Sequence, residues 1–220
     1  MVGTAPLHVS RGLERLPVLC SAAGCQLPEG LQRFYFLRHG QTARNALRIF
    51  QSIDEPLNDT GLAQAEQAAA LLAEELAGDE GVHIVCSDAP RALTTARTVA
   101  RLLAREERLH AGLRERHFGA LIGSSSANID WDCAPEGGET LDQFVARSLA
   151  ALAEAVAHPA PVVVVAHGGT LHVLACALGV VLDAALLANA TPLRFDRAGT
   201  GWTVTRLGTA AVADAAPNLA

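Results

Sequence analysis

The chain contains no lysine: all 17 of its basic residues are arginine. That excludes any mechanism that needs a lysine, but genome base composition can produce the same absence, so nothing more is built on it. Neither a CxxC pair nor an HExxH stretch is present, so two familiar zinc-ligand patterns are missing. The five cysteines, Cys20, Cys25, Cys86, Cys133 and Cys176, are odd in number. Cys86 falls in an apolar strand-like run and Cys176 in an apolar helix, where a free thiol packs as a small hydrophobe. They read as reduced thiols and point to the cytoplasm. No apolar run is long enough to span a bilayer, since Leu16–Ala23 is short and broken by Pro17. Arg11, Glu14, Arg15 and Pro17 interrupt every candidate signal-peptide core within residues 1–30. Positive charge is not in excess either: the net charge of −6 gives no reason to expect a nucleic acid or an anionic membrane as partner.

What is there fits one domain. Half of the 220 residues are hydrophobic and 18% are charged, a composition that is neither disordered nor fibrous and is ample for one α/β core. Residues 1–30, rich in small residues, glycine and proline, read as a poorly ordered leader. Residues 31–208 read as the folded domain and 209–220 as a C-terminal tail, with no internal repeat or linker. Strands are expected at 33–37, 82–86, 109–113 and 162–165, with an edge hairpin at 193–195 and 202–207 around Gly199-Thr200-Gly201. Helices are expected at 59–76 after an Asn58 cap, with Leu62, Ala65, Ala69, Leu72 and Leu76 inward, and at 90–107, where Pro90 suits the first turn. Two more fall at 140–157 and 170–178, and residues 118–138 read as a loop. Strands alternating with helices predict a mostly parallel sheet covered on both faces, a three-layer α/β/α sandwich.

Two strand ends share one unusual feature. The apolar run Phe34-Tyr35-Phe36-Leu37 delivers Arg38-His39-Gly40-Gln41-Thr42, with Asn45 just beyond. The run 161–166 delivers His167-Gly168-Gly169-Thr170. In an open α/β sheet, ligands collect at the carboxyl ends of strands. A phosphate monoester needs cationic donors around its oxygens, an in-line nucleophile and an acid for the leaving oxygen. Arg38 and Arg91 are the candidate donors, His39 and His167 the candidate nucleophile and charge-holder, and Glu115 the candidate acid. Plainer readings stay open at this point. Arg91 can be a solvated helix residue, Glu115 can belong to a surface ion pair within Arg114-Glu115-Arg116, and a zinc site built from His39, His167 and Glu115 is compatible with the spacing.

In their order, the segments resemble the histidine phosphatase superfamily, which includes the cofactor-dependent phosphoglycerate mutases. The resemblance covers about residues 33–207 and runs through six blocks. Arg38-His39-Gly40-Gln41-Thr42 with Asn45 comes first, then Arg48, Gln51, Asp54, Pro56, Leu57, Gly61, Gln64 and Ala65. Ser87-Asp88, Arg91-Ala92 and Thr95-Ala96 follow, then Leu113, Glu115 and Phe118-Gly119, then Gly137-Gly138-Glu139-Thr140, and finally His167-Gly168-Gly169. It implies a phosphoglycerate mutase-like fold and a phosphohistidine formed on His39. It also implies a phosphate pocket of Arg38, Arg91 and His167, with Asn45, Thr42 and Gly168 binding substrate, and Glu115 as proton donor. No metal or cofactor is implied.

The sequence departs from that pattern after Phe118-Gly119, where Leu121 and Ile122 replace the tryptophan and glutamate common in the family, and the following loop is short. Residues 117–139 carry Asp130, Asp132, Glu136 and Glu139 but no arginine or lysine, an acidic rim that disfavours a doubly phosphorylated substrate. The expectation is therefore a metal-independent phosphomonoester hydrolase acting on a small phosphorylated metabolite. A cofactor-dependent phosphoglycerate mutase and a non-catalytic binder of phosphate compounds are the alternatives. A homodimer is left open.

Overall fold

Four consecutive β-branched residues make Val162–Ala166 the natural centre of a sheet, because a strand covered on both faces tolerates no polar side. In the computed structural model, which describes residues 11–24, 27–158 and 161–208, this strand is fully buried. The strands are β1 (Arg33–Arg38), β2 (His83–Cys86), β3 (Glu107–Leu109), β4 (Val162–Ala166), β5 (Pro192–Ala198) and β6 (Gly201–Arg206). Their order in the sheet is β3-β2-β4-β1-β5-β6. β4 pairs in parallel with β1 and β2, and β3 pairs in parallel with β2, while β5 and β6 add an antiparallel edge.

The pairing of β1 with β4 matters most for function. Arg38 lies opposite Ala166, and the ladder continues one step as the His39 N–H donates to the Ala166 carbonyl at 3.0 Å. Two segments 128 positions apart thus release their histidines side by side at one sheet edge.

Alternation of side chains along the strands divides the core. Tyr35, Leu37, Val163 and Val165 face helices α3 (Asp59–Glu75) and α4 (Pro90–Leu103). Phe34, Phe36, Val162 and Val164 face α5 (Leu141–Ala155) and α6 (Gly168–Leu178). This is the expected three-layer α/β/α sandwich. The Asn58 side chain caps α3 by accepting from Gly61 N–H at 2.8 Å, and Thr140 with Gln143 forms a capping box at α5.

Several expectations shift. β3 occupies 107–109 rather than 109–113: Leu109 already lies opposite Cys86, where β2 ends, and the chain coils into a 3-10 turn at Ala111–Leu113. α4 stops at Leu103, where Ala104 turns left-handed (φ 51°). Leu62 is 45% exposed, because it lies in the first turn of α3, outside the stripe that meets the sheet. The largest correction concerns the leader. Leu13–Arg15 forms a 3-10 turn and Leu16–Ala23 a helix, α1, which packs on α5 and α6 with Leu16 and Cys20 buried. Residues 1–10 and 209–220 lie outside the described residues. No helix of the structure, among the described residues, is long and apolar enough to cross a membrane.

Candidate active site

At the carboxyl edge of β1, β2 and β4 lies a cavity of about 1000 Å³. Arg38, His39, Asn45, Arg91, Glu115 and Gly168 line it. His167 is fully buried beside them, its ring centroid 5.2 Å from that of His39. Seven of the eight residues singled out in the sequence thus converge on one place.

Thr42 is the exception. Its hydroxyl accepts from the Asn45 N–H at 3.0 Å, capping the short helix α2 (Ala43–Ala46), and donates to Gln51 Oε1 at 2.7 Å. Fully buried and so engaged, it does not line the cavity.

The Nδ1–H of His39 donates to the Gly40 carbonyl at 2.7 Å, which leaves the Nε2 lone pair as the free nucleophilic position. Burial, and then the cations of Arg91 and Arg38, push the His39 imidazole well below its ordinary range, so it is neutral near pH 7. His167 is pushed down by the same burial and by Arg91, His39 and Arg38. Its Nε2 meets Ser87 Oγ at 2.9 Å, while its Nδ1 has no partner among the described residues. Arg38 donates to the Leu187 carbonyl at 2.6 Å, and Arg91 donates to the carbonyls of Ser52 and Ile53 at 3.0 and 3.1 Å. The Nε atoms of both guanidiniums are buried without a partner among the described residues, as is Asn45 Oδ1. Arg91 is only 3% exposed, which rules out the solvated-surface reading.

Glu115 is oriented by main-chain donors. Gly169 N–H donates to Oε2 and Arg116 N–H to Oε1, each at 2.9 Å. A Cβ at Gly169 would collide with this carboxyl, so Glu115 can hold this position only beside a glycine. The surface ion-pair reading fails as well. Arg114 forks onto Asp88, and the buried Arg116 side chain turns away to the carbonyls of Trp131, Cys133 and Glu139. Arg147, on α5, grips Glu139 through two 2.7 Å bonds and donates to the Gly112 and Arg114 carbonyls, bracing the segment that carries Glu115.

Sequence reasoning missed Ser87 as the partner of His167, both of these arginines, and the Asn189 amide, which donates to the His39 carbonyl at 3.0 Å. Arg116, Arg147 and Asn189 have no local signature. Only Ser87, at the end of β2, had a signal in its strand-end position. Among the described residues no cluster of three His, Cys, Asp or Glu side chains is arranged to hold a metal ion, so His39, His167 and Glu115 do not form such a set.

The outer cavity is walled by Ile49, Phe50, Ile53, Phe118, Ile129 and Trp131. The acidic rim read from the sequence is largely neutralised. Asp130 pairs with Arg11, Asp132 with Arg15 and Glu139 with Arg147, while six arginines and two glutamates line the cavity itself. The geometry presents donors unpartnered among the described residues, a free imidazole lone pair and an oriented carboxyl at one cavity.

Comparison with known proteins identifies the family. The glucosyl-3-phosphoglycerate phosphatase of Mycobacterium tuberculosis (strain CDC 1551 / Oshkosh) is 34% identical over 171 residues, covering 67% of this chain and 75% of that protein. A metal-independent phosphoserine phosphatase of Arabidopsis thaliana is 33% identical over 177 residues, covering 70% and 72%. The solved structure of a mycobacterial glucosyl-3-phosphoglycerate phosphatase in complex with VO3 superposes with a TM-score of 0.64 at 30% identity, covering 79% of this chain and 97% of that one. The sequence profile of the histidine phosphatase superfamily, branch 1, matches residues 34–210, and this chain belongs to that superfamily.

Proposed function

We propose that this protein hydrolyses phosphomonoesters of small phosphorylated metabolites without a metal ion, through a phosphohistidine on His39 Nε2. One observation carries the reading. Arg38 Nε, Arg91 Nε and His167 Nδ1 are buried polar atoms without partners among the described residues, gathered around a neutral imidazole. Buried polar atoms left unpaired are costly, and a tetrahedral dianion with several acceptor oxygens satisfies all three. The Asn45 amide can turn its nitrogen to a fourth oxygen. The names of the relatives, two of them phosphatases of phosphorylated small molecules, support the same reaction class.

In this reading the phosphoryl group arrives as the counter-charge that the two buried arginines lack. His167 then takes up a proton and donates from Nδ1. His39 Nε2 attacks phosphorus as the P–O bond to the leaving group breaks, and Glu115 protonates the departing oxygen. In the second step water attacks the phosphohistidine and gives its proton to the Glu115 carboxylate. Inorganic phosphate leaves and His39 is restored. Arg38 and Arg91 hold the equatorial oxygens throughout, fixed by their carbonyl partners. The free thiols of Cys86, Cys133 and Cys176 support the cytoplasm as the compartment.

The test is hydrolysis of p-nitrophenyl phosphate in the presence of EDTA. Turnover that survives EDTA and disappears in His39→Ala is expected; turnover abolished by EDTA would defeat the proposal. Phosphate binding without any turnover would indicate a binder. A mutase is the second reading, favoured by Arg48, an exposed cation at the cavity with no ion-pair partner among the described residues, and by the neutralised rim. Isomerisation of 3-phosphoglycerate dependent on 2,3-bisphosphoglycerate would establish it.

A further inference from the structure

Trp131 occupies a singular position in the loop over the site. Its main-chain N–H donates to the Arg11 carbonyl at 2.7 Å, and its carbonyl accepts from the Arg116 guanidinium. Its ring lies against Gly169, with Cη2 3.0 Å from where a Cβ on that glycine would sit. Arg116 and Gly169 are the two residues whose N–H groups fix the Glu115 carboxyl. Trp131 therefore touches both orienters of Glu115 on one side and residues 11–12 on the other.

The contact with residues 11–20 is built rather than incidental. Arg11 and Asp130 form a parallel bridge, and their side chains pair at 3.7 Å. Gly12 has φ +90°, and a Cβ there would come within 2.5 Å of the Asp132 nitrogen. Arg15 pairs with Asp132, and with Asp142 at the start of α5 at 3.8 Å. Leu16 and Cys20 then sink into one apolar cluster with Phe118, Trp131, Leu141 and Phe144.

We propose that residues 11–20 form a strap that positions the general acid: they seat Trp131, and Trp131 in turn holds the Arg116 and Gly169 amides in place against Glu115. The inference rests on the role of Glu115 proposed above, and it adds a part of the chain that lies before the region matched by the family profile. A misplaced general acid hurts substrates unequally. An alkyl phosphate needs its leaving oxygen protonated, whereas an aryl phosphate such as p-nitrophenyl phosphate expels a stabilised anion and needs it much less.

The experiment compares full-length wild type with Gly12→Ala and, separately, Arg15→Ala, with Arg15→Lys as the conservative control. Hydrogen exchange at the Arg116 and Gly169 amides is read without substrate, and kcat is read on phosphoserine and on p-nitrophenyl phosphate. Both disruptive variants should exchange about tenfold faster at those amides and lose about tenfold in the phosphoserine to p-nitrophenyl phosphate kcat ratio. KM for the aryl ester should stay within about twofold, and Arg15→Lys should restore most of the ratio. Unchanged exchange, or an equal loss on both esters accompanied by a lower melting temperature, overturns the strap. A wild type inactive on both esters overturns the proposed reaction instead, and amide exchange still decides whether the strap orders those two donors.

Discussion

A histidine becomes a nucleophile when one ring nitrogen is committed and the ring is neutral, and His39 meets both conditions through Gly40 and through its burial beside two arginines. His39→Ala should reduce phosphatase turnover below detection, and any burst of bound phosphate in rapid-quench measurements should vanish with it. Gly169→Ala offers a sharper probe at this scale. The new methyl group would strike the Glu115 carboxyl while the phosphate pocket stays intact. We expect kcat on alkyl phosphates to fall by roughly 10²-fold, with the inhibition constant of inorganic phosphate nearly unchanged. A parallel rise in that constant would refute the separation of acid from pocket. Arg38 and His39 were readable because an arginine-histidine-glycine run after an apolar strand is a local pattern. Ser87, Arg116 and Trp131 were not, because each acquires its role from a partner elsewhere in the chain: 80 positions away for Ser87 and 15 for the Arg116–Trp131 pair.

At the scale of elements, the site depends on helix α5 as much as on the strands. Arg147 projects from that helix and joins Glu139 to the carbonyls of Gly112 and Arg114. Arg147→Ala would leave the half-buried Glu139 carboxylate, among the described residues, with the His117 N–H alone as hydrogen-bond partner and would unbrace the segment ending in Glu115. The expected result is a stability loss of about 2 kcal/mol in urea unfolding, together with reduced kcat. Glu139 is held below the usual carboxylate range by Arg147 and the His117 N–H against the opposing effect of burial, consistent with an ion pair that contributes to folding. Substitution of Thr140 by alanine removes only the cap and should cost about 1 kcal/mol with little effect on kcat. Equal kinetic effects of the two substitutions would mean that α5 acts through its stability alone. The capping signals were legible in sequence because they are local, whereas β3 was placed several residues late because its end is set by where its partner β2 stops.

For the whole molecule, the buried histidines tie stability to pH. His39 and His167 have folded-state values well below their ordinary range, so the unfolded chain binds protons that the empty folded protein refuses. Their contribution is therefore present above about pH 6.5 and is lost as pH falls below it, by about 1.4 kcal/mol per pH unit for each histidine. Thermal melts from pH 7.5 to 5.5 should show the melting temperature falling, and His39→Asn with His167→Asn should flatten that slope. Saturating phosphate should flatten it too, because the anion favours a protonated His167 and binds the folded state alone. A slope unaffected by either change would show that other groups govern the acid side. The same scale revises the electrostatic expectation for the rim, since Asp130, Asp132 and Glu139 are each matched by an arginine from a distant segment.

The sequence by itself determined the alternation of strands and helices, the caps, and two histidine-bearing strand ends, because each is written in residues within a few positions of one another. The tertiary structure alone decided that β1 and β4 are neighbours, which brings His39 and His167 to a ring separation of 5.2 Å, and that residues 11–20 belong to the folded domain. Sheet order and loop seating arise from burying apolar faces and pairing charges across long stretches of chain, and no local pattern encodes which distant partner wins.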